Sequence, residues 1–417
     1  MRVVHLSHAD CTGGAAIAAY RLHVALQREQ VDSHMLVQDM RNDNSTVHTF
    51  TSKRERMLAK LRPSLDKLPL GLYRKRRRTT FSCDWLPSHI PQDICKYRPD
   101  ILNLHWIGAG YLRLESLSNL RFPQVWTLHD MWAFTGGCHY DDGCDGYRKS
   151  CGRCPQLGSN HYWDLSRWIW YRKSRTYRQL PLTIVCPSNW LAQCAKSSSL
   201  FNSLDIRIIP NGVDCQQYRP IDQHLARQLL GLSADKQLIL FGAMSATSDY
   251  RKGFHLLEPA LRRLQIDSWE NRVEILIFGA SKSETPIDLK LPIRYLGCMY
   301  DDLSLSLTYS AADVFVIPSM QDNFPNTALE AISCGIPCVA FNIGGLSDII
   351  THQLNGYLAE PFSSADLANG ISWVLQNTER YRQLSANARV TAEKKFTLAK
   401  QARSYQTLYE EVLKYAP

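Results

Sequence analysis

The sequence predicts an α/β protein with two parallel β-sheet domains, and three features of the chain support this fold class. Its 417 residues exceed what one hydrophobic core organises, so two domains of about 200 residues are expected. Short apolar runs recur in both halves with helical patterns between them, which is typical of parallel sheets. The clearest unit is residues 313–341, where the apolar runs Val314–Ile317 and Cys338–Phe341 flank a short helix.

This βαβ unit, residues 313–341, carries two acidic residues where its first strand leads into the helix. We expect Asn326 to cap the helix and Gly335 to end it. Asp322 lies in the loop and Glu330 in the first turns of the helix. Ligands of parallel sheets bind at the carboxyl ends of the strands, and an ionised carboxylate there accepts hydrogen bonds from vicinal hydroxyls. The unit therefore predicts a site for a ribose or another sugar.

The first half of the chain begins with a strand, a glycine turn and a helix. Arg2–Ser7 is the expected strand, Gly13 and Gly14 form the turn, and an alanine-rich helix runs from Ala15 to about Gln27. Glycines let backbone amides approach an anion, and the helix dipole attracts it. The motif is compatible with a phosphate site and also with an ordinary turn.

Three further strands of the first half end in polar or aromatic residues. They are Ile101–Leu104 before His105 and Trp106, Val125–Leu128 before His129 and Asp130, and Ile184–Cys186 before Pro187 and Ser188. Because parallel strands present their carboxyl ends at one edge of the sheet, these residues predict a cleft there. A lone histidine is usually structural, but the position of His129 beside Asp130 makes it the catalytic candidate of this group.

The second half contains six apolar runs that predict a second parallel sheet. They are Leu238–Gly242, Val273–Phe278, Ile293–Leu296, Val314–Ile317, Cys338–Phe341 and Tyr357–Leu358. Arg251 and Lys252 stand just before a helix expected at Phe254–Leu264. Two cations at a helix start oppose its dipole unless an anion lies between them, and a diphosphate is such an anion.

The domain boundaries follow from the positions of these runs. We predict a first domain at residues 1–205 and a second at residues 206–395, which opens with a strand and a sharp turn containing Asn211. An amphipathic helix expected at Leu398–Tyr415, within residues 396–417, is predicted to cross back to the first domain.

Residues 53–78 form a basic insertion in the first domain. They contain eleven Lys or Arg residues and two acids, and they end in RKRRR at residues 74–78. Leucines recur among the charges at helix-like intervals: Leu58, Leu61, Leu65, Leu68 and Leu72. Pro63 and Pro69 are expected to break any single continuous helix. Three interpretations stay open: a solvated surface insertion, a patch for anionic lipid at the inner membrane face, or, with least support, a nucleic-acid contact.

Four of the thirteen cysteines cluster in a glycine-rich loop at residues 136–158: Cys138, Cys144, Cys151 and Cys154. Cys151 and Cys154 have the spacing of a zinc knuckle. Disulfides are disfavoured in a reducing compartment, and the spacing does not match the common iron–sulfur runs. A structural zinc site is the favoured interpretation, with free thiols or a redox pair as alternatives.

Composition and hydropathy predict a globular protein without a membrane span. Hydrophobic residues make up 45% of the chain and charged residues 21%, which is ordinary for a globular protein. No apolar run approaches the roughly 20 residues needed to cross a bilayer. The N-terminal segment, MRVVHLSHAD, is interrupted by histidines and differs from a signal peptide. A cytoplasmic location is expected, peripheral to the membrane if the basic insertion binds lipid.

Several of these stretches together resemble the group-1 family of retaining glycosyltransferases, which has the GT-B fold of two Rossmann-like domains facing a central cleft. The resemblance covers nearly the whole chain, and the order and spacing of its pieces are specific. The pieces are Gly13-Gly14, His129-Asp130, Pro187-Ser188, Pro210–Asp214, Lys252-Gly253, Asp322, Glu330 and Gly335-Ile336-Pro337. The run Trp132–Cys138 is similar to a branch found among enzymes of capsule and exopolysaccharide assembly.

The resemblance implies a role for each matching residue. Glu330 would hold the donor ribose, and Asp322 would bind the hydroxyls of the transferred sugar. Lys252 would neutralise the departing diphosphate, with Gly13 and Gly14 on its other side. The family usually has Glu where this chain has Asp322, which is one methylene shorter.

The resemblance also implies roles for four other positions. His129 would lie beside the reacting sugar, and Asn211 and Asn326 are further donor-binding candidates. The family's arginine after the first strand of the second domain falls at Ala243 in this chain. Arg251 is a candidate replacement, because it could reach the same phosphates.

The function that the resemblance implies is transfer of a sugar from a UDP- or GDP-sugar to a hydroxyl of a glycan or lipid-linked glycan. The anomeric configuration is kept, and no catalytic metal is expected, because fixed cations and amides stabilise the leaving group. A nucleotide-sugar epimerase or a phosphorylase of the same fold is an alternative. A zinc-containing nucleic-acid-binding protein is an alternative of a different class, but the acids of the cleft would repel a phosphate backbone, so no nucleic-acid partner is expected.

Overall fold

The computed structural model describes residues 1–49, 53–88, 90–244, 246–266, 269, 271–280, 289–299 and 301–415. The chain divides into two compact units, one formed by Met1–Pro210 with Gln401–Pro417 and the other by Asn211–Lys400. Each unit contains one β-sheet whose strands pair in parallel. The predicted α/β class with two parallel-sheet domains is therefore confirmed.

The first unit is built on a seven-stranded sheet with the strand order β3-β2-β1-β4-β5-β6-β7. Its strands are β1 Arg2–Ala9, β2 Asp32–Asp39, β3 Val47–His48, β4 Ile101–Leu104, β5 Gln124–Thr127, β6 Leu182–Cys186 and β7 Asp205–Ile208. Its first five helices are α1 Gly14–Arg28, α2 Lys53–Asp66, α3 Ile90–Tyr97, α4 Leu165–Tyr177 and α5 Asn189–Ser197. The order reverses between β1 and β4, and ligands of such sheets bind at this reversal.

The second unit has a six-stranded sheet with the strand order β10-β9-β8-β11-β12-β13. Its strands are β8 Gln237–Gly242, β9 Val273–Phe278, β10 Ile293–Gly297, β11 Val314–Ile317, β12 Cys338–Phe341 and β13 Gly356–Ala359. Its helices are α6 Gln223–Leu229, α7 Phe254–Ile266, α8 Asp302–Ala311, α9 Asn326–Ser333, α10 Leu346–Ile349, α11 Ser364–Leu375 and α12 Thr378–Lys395. Here the order reverses between β8 and β11, so the loops after these two strands form the corresponding edge.

The last helix, α13 Leu398–Lys414, belongs to the first unit from Gln401 onward. Two of its tyrosines place their hydroxyls among polar side chains of the central strands. Asn103 Nδ2 donates to Tyr409 Oη at 2.6 Å, and Thr127 Oγ1 lies 2.9 Å from Tyr405 Oη. Thr127 Oγ1 also bonds Asn103 Oδ1 at 3.0 Å, so the four side chains form one buried network.

The structure corrects two expectations about helices. Asn326 is the first residue of α9 rather than its cap, since Pro325 holds the cap position with extended backbone angles. Pro63 does not break α2 but lies inside it. A proline there leaves the carbonyl of Ala59 without its helical donor, and Gln38 Nε2 donates to that oxygen at 3.1 Å instead. The helix ends at Asp66, and Pro69 lies in the first turn of the 3₁₀ helix Leu68–Leu72.

Candidate active site

The loop after β11 packs closely against the loops after β8 and β12, because a glycine in each of those two loops allows the backbones to touch. Gly253 has a φ of 73°, and a Cβ built on it would lie 1.8 Å from the Pro318 carbonyl oxygen. Gly344 has a φ of 56°, and its Cβ would lie 2.1 Å from the Asp322 carbonyl oxygen. Any side chain at either position would force these loops apart. The glycines thereby hold Asp322 at the carboxyl edge of the second sheet.

Asp322 contacts Arg251 and Lys252, the two cationic residues that precede α7. Lys252 Nζ lies 2.7 Å from Asp322 Oδ2, and Arg251 Nη1 lies 3.8 Å from the same oxygen. Ser319 Oγ donates to that oxygen at 3.3 Å. Burial acts to raise the pKa of Asp322, but the charges of Lys252 and Arg251 outweigh it and hold the pKa below its usual value. Asp322 is therefore ionised at neutral pH.

Arg251 is fixed by its own contacts in the same loop. Its Nη1 donates to the Gln321 carbonyl oxygen at 2.9 Å, and its Nη2 lies 3.2 Å from Asp249 Oδ2. The Arg251 carbonyl oxygen accepts from the Met320 amide at 2.8 Å. These contacts place Arg251 against the loop that carries Asp322, and its role as a substitute for the family's arginine at Ala243 stays a prediction.

Glu330 is buried within α9, and its carboxylate is held by a tyrosine. Tyr309 Oη, from α8, donates to Glu330 Oε2 at 3.0 Å. Asn326 lies four residues earlier and so on the same face of α9. Sequence reasoning missed Tyr309, because its hydroxyl reaches Glu330 across two helices packed together, and no local motif records that contact. Asn211, the remaining donor-binding candidate in this unit, is also buried, at the unit's first residue.

In the first unit, the glycine turn opens onto the start of α1. Gly13 precedes the helix with a φ of 97°, and no side chain caps the helix by a hydrogen bond. The first turn also contains no acidic residue. With Gly14 as the first helical residue, the turn keeps the features that the phosphate interpretation requires.

His129 follows β5, and its Nε2 lies within hydrogen-bonding distance of another histidine ring. His105 Nδ1 lies 3.0 Å from His129 Nε2, and His5 Nδ1 lies 2.9 Å from His105 Nε2. Burial lowers the pKa of His129 to about 4, although the charge of Asp130 acts to raise it. His129 is therefore neutral at physiological pH.

Asp130 has a different set of partners, which sequence reasoning did not identify. Its Oδ2 lies 2.6 Å from His139 Nδ1 and 2.9 Å from Trp106 Nε1, and its Oδ1 accepts from the Trp132 amide at 2.8 Å. Burial acts to raise the pKa of Asp130, but His139 and the other donors hold it below its usual value. His139 lies within the cysteine loop, so Asp130 anchors that loop to the end of β5.

The four cysteines of the loop at residues 136–158 lie near one another without forming disulfides. A Cβ built on Gly146 would lie 3.6 Å from Cys144 Sγ and 3.8 Å from Cys151 Sγ. Burial raises the pKa of the Cys138 thiol, and the electrostatic effect of the nearby Cys151, Cys154 and Cys144 raises it further. Across the described residues, which include this whole loop, no group of three or more His, Cys, Asp or Glu side chains is arranged to hold a metal ion.

Helix α2, in the basic insertion, buries polar residues and exposes leucines. Asp66 is buried and accepts from the Cys83 amide at 2.9 Å, while Arg62 Nε donates to the Gly110 carbonyl oxygen at 2.5 Å. On the same helix, Leu58, Leu61 and Leu65 are 37–53% exposed. Leu68 and Leu72 of the following 3₁₀ helix are also exposed. No helix among the described residues is long and apolar enough to span a membrane.

Two family profiles match the chain, one in each unit. Residues 227–391 match "Glycosyl transferases group 1", and residues 12–217 match "Glycosyltransferase Family 4". Together the two matches span nearly all of both sheets. The chain belongs to the glycosyltransferases, with the group 1 match in its second unit and the Family 4 match in its first. The family resemblance drawn from the sequence motifs is therefore confirmed.

Curated members of the glycosyltransferases are similar to parts of this chain. A D-inositol 3-phosphate glycosyltransferase from Geodermatophilus obscurus is 34% identical over 195 residues, which is 44% of this chain and 42% of that protein. The putative colanic acid biosynthesis glycosyl transferase WcaC from Escherichia coli is 26% identical over 271 residues, which is 60% of this chain and 62% of that protein. The matched part thus covers less than two thirds of each relative.

A solved structure supports the two-domain fold of the family. HepE from Anabaena, in complex with UDP-glucose, superimposes with a TM-score of 0.68 at 18% identity. The comparison covers 98% of this chain and 100% of HepE. At this identity the similarity establishes the GT-B fold class and nothing about the ligand of this chain.

Proposed function

We propose that the protein transfers a sugar from a nucleoside-diphosphate donor, a UDP- or GDP-sugar, to a hydroxyl of a glycan or lipid-linked glycan. The observation that carries this proposal is the contact of Lys252 and Arg251 with Asp322 at the carboxyl edge of the second sheet. Two cations beside a carboxylate can bind a diphosphate and sugar hydroxyls at neighbouring points. Retention of the anomeric configuration and transfer without a catalytic metal are parts of this proposal.

The ion pair between Lys252 and Asp322 gives the binding step a specific form. An incoming diphosphate attracts Lys252 away from Asp322, whose carboxylate then accepts hydrogen bonds from the hydroxyls of the sugar. As the bond to the sugar breaks, negative charge grows on the leaving diphosphate, and Lys252 and Arg251 stabilise it without needing to reorganise. Asp322 is one methylene shorter than the Glu that the family usually has, and Lys252 Nζ nevertheless lies within 2.7 Å of its Oδ2.

Glu330 is proposed to hold the donor's ribose. The Tyr309 hydroxyl fixes one carboxylate oxygen, and vicinal ribose hydroxyls donate to the carboxylate. Asn326 and Asn211 are proposed to add polar contacts to the donor. In the first unit, the amides of Gly13 and Gly14 are proposed to bind an anionic group, and His129 to hydrogen-bond the reacting sugar.

The comparisons favour the proposed donor class. HepE is described in complex with UDP-glucose, and WcaC is named for colanic acid biosynthesis. The HepE complex favours a nucleotide sugar as the donor, and the similarity to WcaC favours a role in polysaccharide synthesis. The acceptor class is proposed from the same similarity and from the basic insertion.

A panel of nucleotide sugars tests the proposed reaction. Purified protein is incubated with each UDP- and GDP-sugar, with and without membrane lipid extract, and release of the nucleoside diphosphate is measured. We expect release with at least one donor and a product linkage of the donor's own anomeric configuration by NMR. If none of the donors is turned over or bound, the proposal is contradicted. Isomerisation of a donor without release of the nucleotide would indicate an epimerase.

We also propose that the basic insertion docks on an anionic membrane surface. Leu58, Leu61 and Leu65 are exposed on α2, beside the partly buried Arg62 and the buried Asp66. Exposed leucines beside a basic run suit insertion into the head-group region of anionic lipid. This orientation would bring the enzyme to a lipid-linked acceptor.

Vesicle sedimentation tests the membrane proposal. Vesicles with phosphatidylglycerol should bind the protein, and vesicles of phosphatidylcholine alone should not. The double variant L61S/L65S should lose most of the binding, whereas Leu229→Ser, at an exposed leucine of α6, should not. Equal binding to both lipids, or no effect of the double variant, would contradict the proposal.

We further propose that the cysteine loop binds a structural zinc ion, with Cys138, Cys144, Cys151 and Cys154 drawn together as ligands. Cys151, Gly152 and Arg153 all have positive φ, a strained turn that a bound ion would stabilise. Lys173, whose pKa burial lowers to about 7, lies near Cys138 and Cys151, and a zinc ion with four thiolates would add negative charge beside it. Metal analysis should find one zinc per chain, lost in Cys154→Ser and kept in Cys95→Ser. A folded, metal-free protein would contradict this.

A further inference from the structure

Three buried or half-buried histidine rings form a continuous hydrogen-bonded chain through the first sheet. His5 lies in β1, His105 follows β4 and His129 follows β5, and these three strands are neighbours in the sheet. Their ring nitrogens are 2.9 Å and 3.0 Å apart at the two contacts. Successive rings are stacked, with centroids 5.2 Å and 5.3 Å apart. The strand pairing therefore fixes the order and the direction of the chain.

Each hydrogen bond of this chain needs one N–H and one bare nitrogen. A neutral imidazole has one of each, so the two bonds must run in the same direction. Either every ring carries its proton on Nδ1 and donates toward His129, or every ring carries it on Nε2 and donates toward His5. Burial lowers the pKa of His5 and of His105 well below the usual value, which keeps both rings neutral.

The His5 end of the chain distinguishes the two patterns. His5 Nε2 is buried and has no hydrogen-bond partner among the described residues. The nearby His23 uses its ring nitrogens elsewhere, with Nδ1 2.8 Å from Ser33 Oγ and Nε2 2.9 Å from Thr46 Oγ1. A buried N–H without an acceptor is rarer in proteins than a buried acceptor without a donor. His5 Nε2 is thus the bare nitrogen, and the protons lie on Nδ1.

We propose that His5 and His105 are positioning residues that set the tautomer of His129, which carries its proton on Nδ1 and accepts from His105 through Nε2. The orphaned nitrogen of His5, two rings away, determines this choice. The catalytic consequence rests on the proposed function: His129 would meet a sugar oxygen as a neutral N–H donor. It would not act as a general base through Nε2, which the chain occupies.

Solid-state NMR of the full-length protein, with only its histidines labelled with ¹⁵N, tests the tautomer directly. Protonated and bare ring nitrogens have well-separated shifts, and couplings across N–H···N bonds report which rings are joined. We expect Nδ1–H tautomers at His5, His105 and His129, joined by two such couplings. Nε2–H tautomers at these rings, or an absent coupling, would overturn the proposal.

Variants at His105 test whether the chain imposes the tautomer. In His105→Leu the donor to His129 is lost, and the single Nδ1–H state of His129 should become a mixture. In His105→Asn the amide can donate from nearly the same place as Nδ1, so the Nδ1–H state should be kept. His48→Asn, at a histidine pair of the first unit outside the chain, is the control and should leave His129 unchanged.

Activity measurements separate this inference from the proposed function. If the protein is a transferase, kcat/KM should fall at least about 10-fold in His105→Leu and recover in His105→Asn. A protein without transferase activity would refute the function while the NMR result still decides the tautomer. An unchanged His129 tautomer in His105→Leu would overturn the positioning role whatever the activity.

Discussion

Lys252 is the residue whose removal should affect catalysis most selectively. Its ammonium is held at 2.7 Å from Asp322 and is proposed to move to the leaving diphosphate. Lys252→Ala should lower kcat about 100-fold or more while weakening donor binding much less, because charge on the diphosphate grows in the transition state. Steady-state kinetics and equilibrium donor binding measure the two effects.

The control for Lys252→Ala is Arg262→Ala, which removes an exposed cation of α7 paired with Glu258. It should leave kcat and donor affinity unchanged. Equal losses of turnover and of donor affinity in Lys252→Ala would show that Lys252 binds the ground state and the transition state alike. That result would contradict a role concentrated on the leaving group.

Tyr309 links the core of the second unit to the proposed ribose site. Tyr309→Phe keeps the ring that packs against Phe315 but removes the hydrogen bond to Glu330. We expect donor affinity to fall by about 3- to 10-fold, since the carboxylate is less firmly held. Tyr218→Phe is the matched control, because its hydroxyl bonds Asp302 instead. A similar loss of affinity in both variants would assign the effect to general destabilisation.

His129 should contribute to activity without titrating in the physiological range. Burial lowers its pKa to about 4, so the ring is neutral above that value and becomes charged only in more acidic solution. The ratio of kcat/KM between wild type and His129→Gln should therefore stay constant from about pH 5 to pH 8. A ratio that changes with an apparent pKa near 6.5, the usual value for histidine, would contradict this assignment.

At the scale of elements, α13 stabilises the first sheet through buried hydroxyls. Tyr409→Phe would leave the buried Asn103 amide without its acceptor at 2.6 Å, and we expect a loss of about 1–3 kcal/mol in the free energy of unfolding. Tyr415→Phe, at an exposed position just after α13, should have no effect. Denaturant unfolding measures both, and equal stabilities would contradict the importance of this network.

Elements with both faces buried could be predicted best from the sequence. The strands β4, β9, β11 and β12 match their predicted bounds to the residue, because a strand covered on both sides is a mostly apolar run, although β4 contains Asn103 and β9 contains Glu274. The two-residue strand β3 and the helix α3 were missed, since neither has a pattern long enough to stand out. The passage of α2 through Pro63 depends on Gln38, a tertiary contact that no local rule contains.

The residues of the candidate site could be predicted where a local sequence motif identifies them. They could not be predicted where their contacts depend on tertiary packing. Lys252 and Asp322 were proposed from charge and position, and the structure brings them into contact. The histidine chain could not be foreseen, because it depends on the pairing of β1, β4 and β5. The contact of Asp130 with His139 could not be foreseen either, because it joins the end of β5 to the cysteine loop.

At the scale of the whole molecule, we expect each unit to carry a separate share of the function. The second unit carries the paired cations, Asp322 and Glu330, and is proposed to bind the nucleotide sugar. The first unit carries the glycine turn, the histidine chain and the outward leucines of α2, and is proposed to serve the sugar and the acceptor. The family assignment covers both units, whereas the donor rests mainly on the second.

The central claim is that a nucleoside-diphosphate sugar binds at Glu330, Asp322 and Lys252. Isothermal titration of UDP, GDP and their sugars into wild type, Glu330→Gln and Arg262→Ala tests it most directly. We predict saturable binding of one nucleotide series to wild type and to Arg262→Ala, and binding weakened about 10-fold or more in Glu330→Gln, where a charged acceptor for the ribose is lost. No binding to wild type, or equal affinity in Glu330→Gln, would contradict the claim.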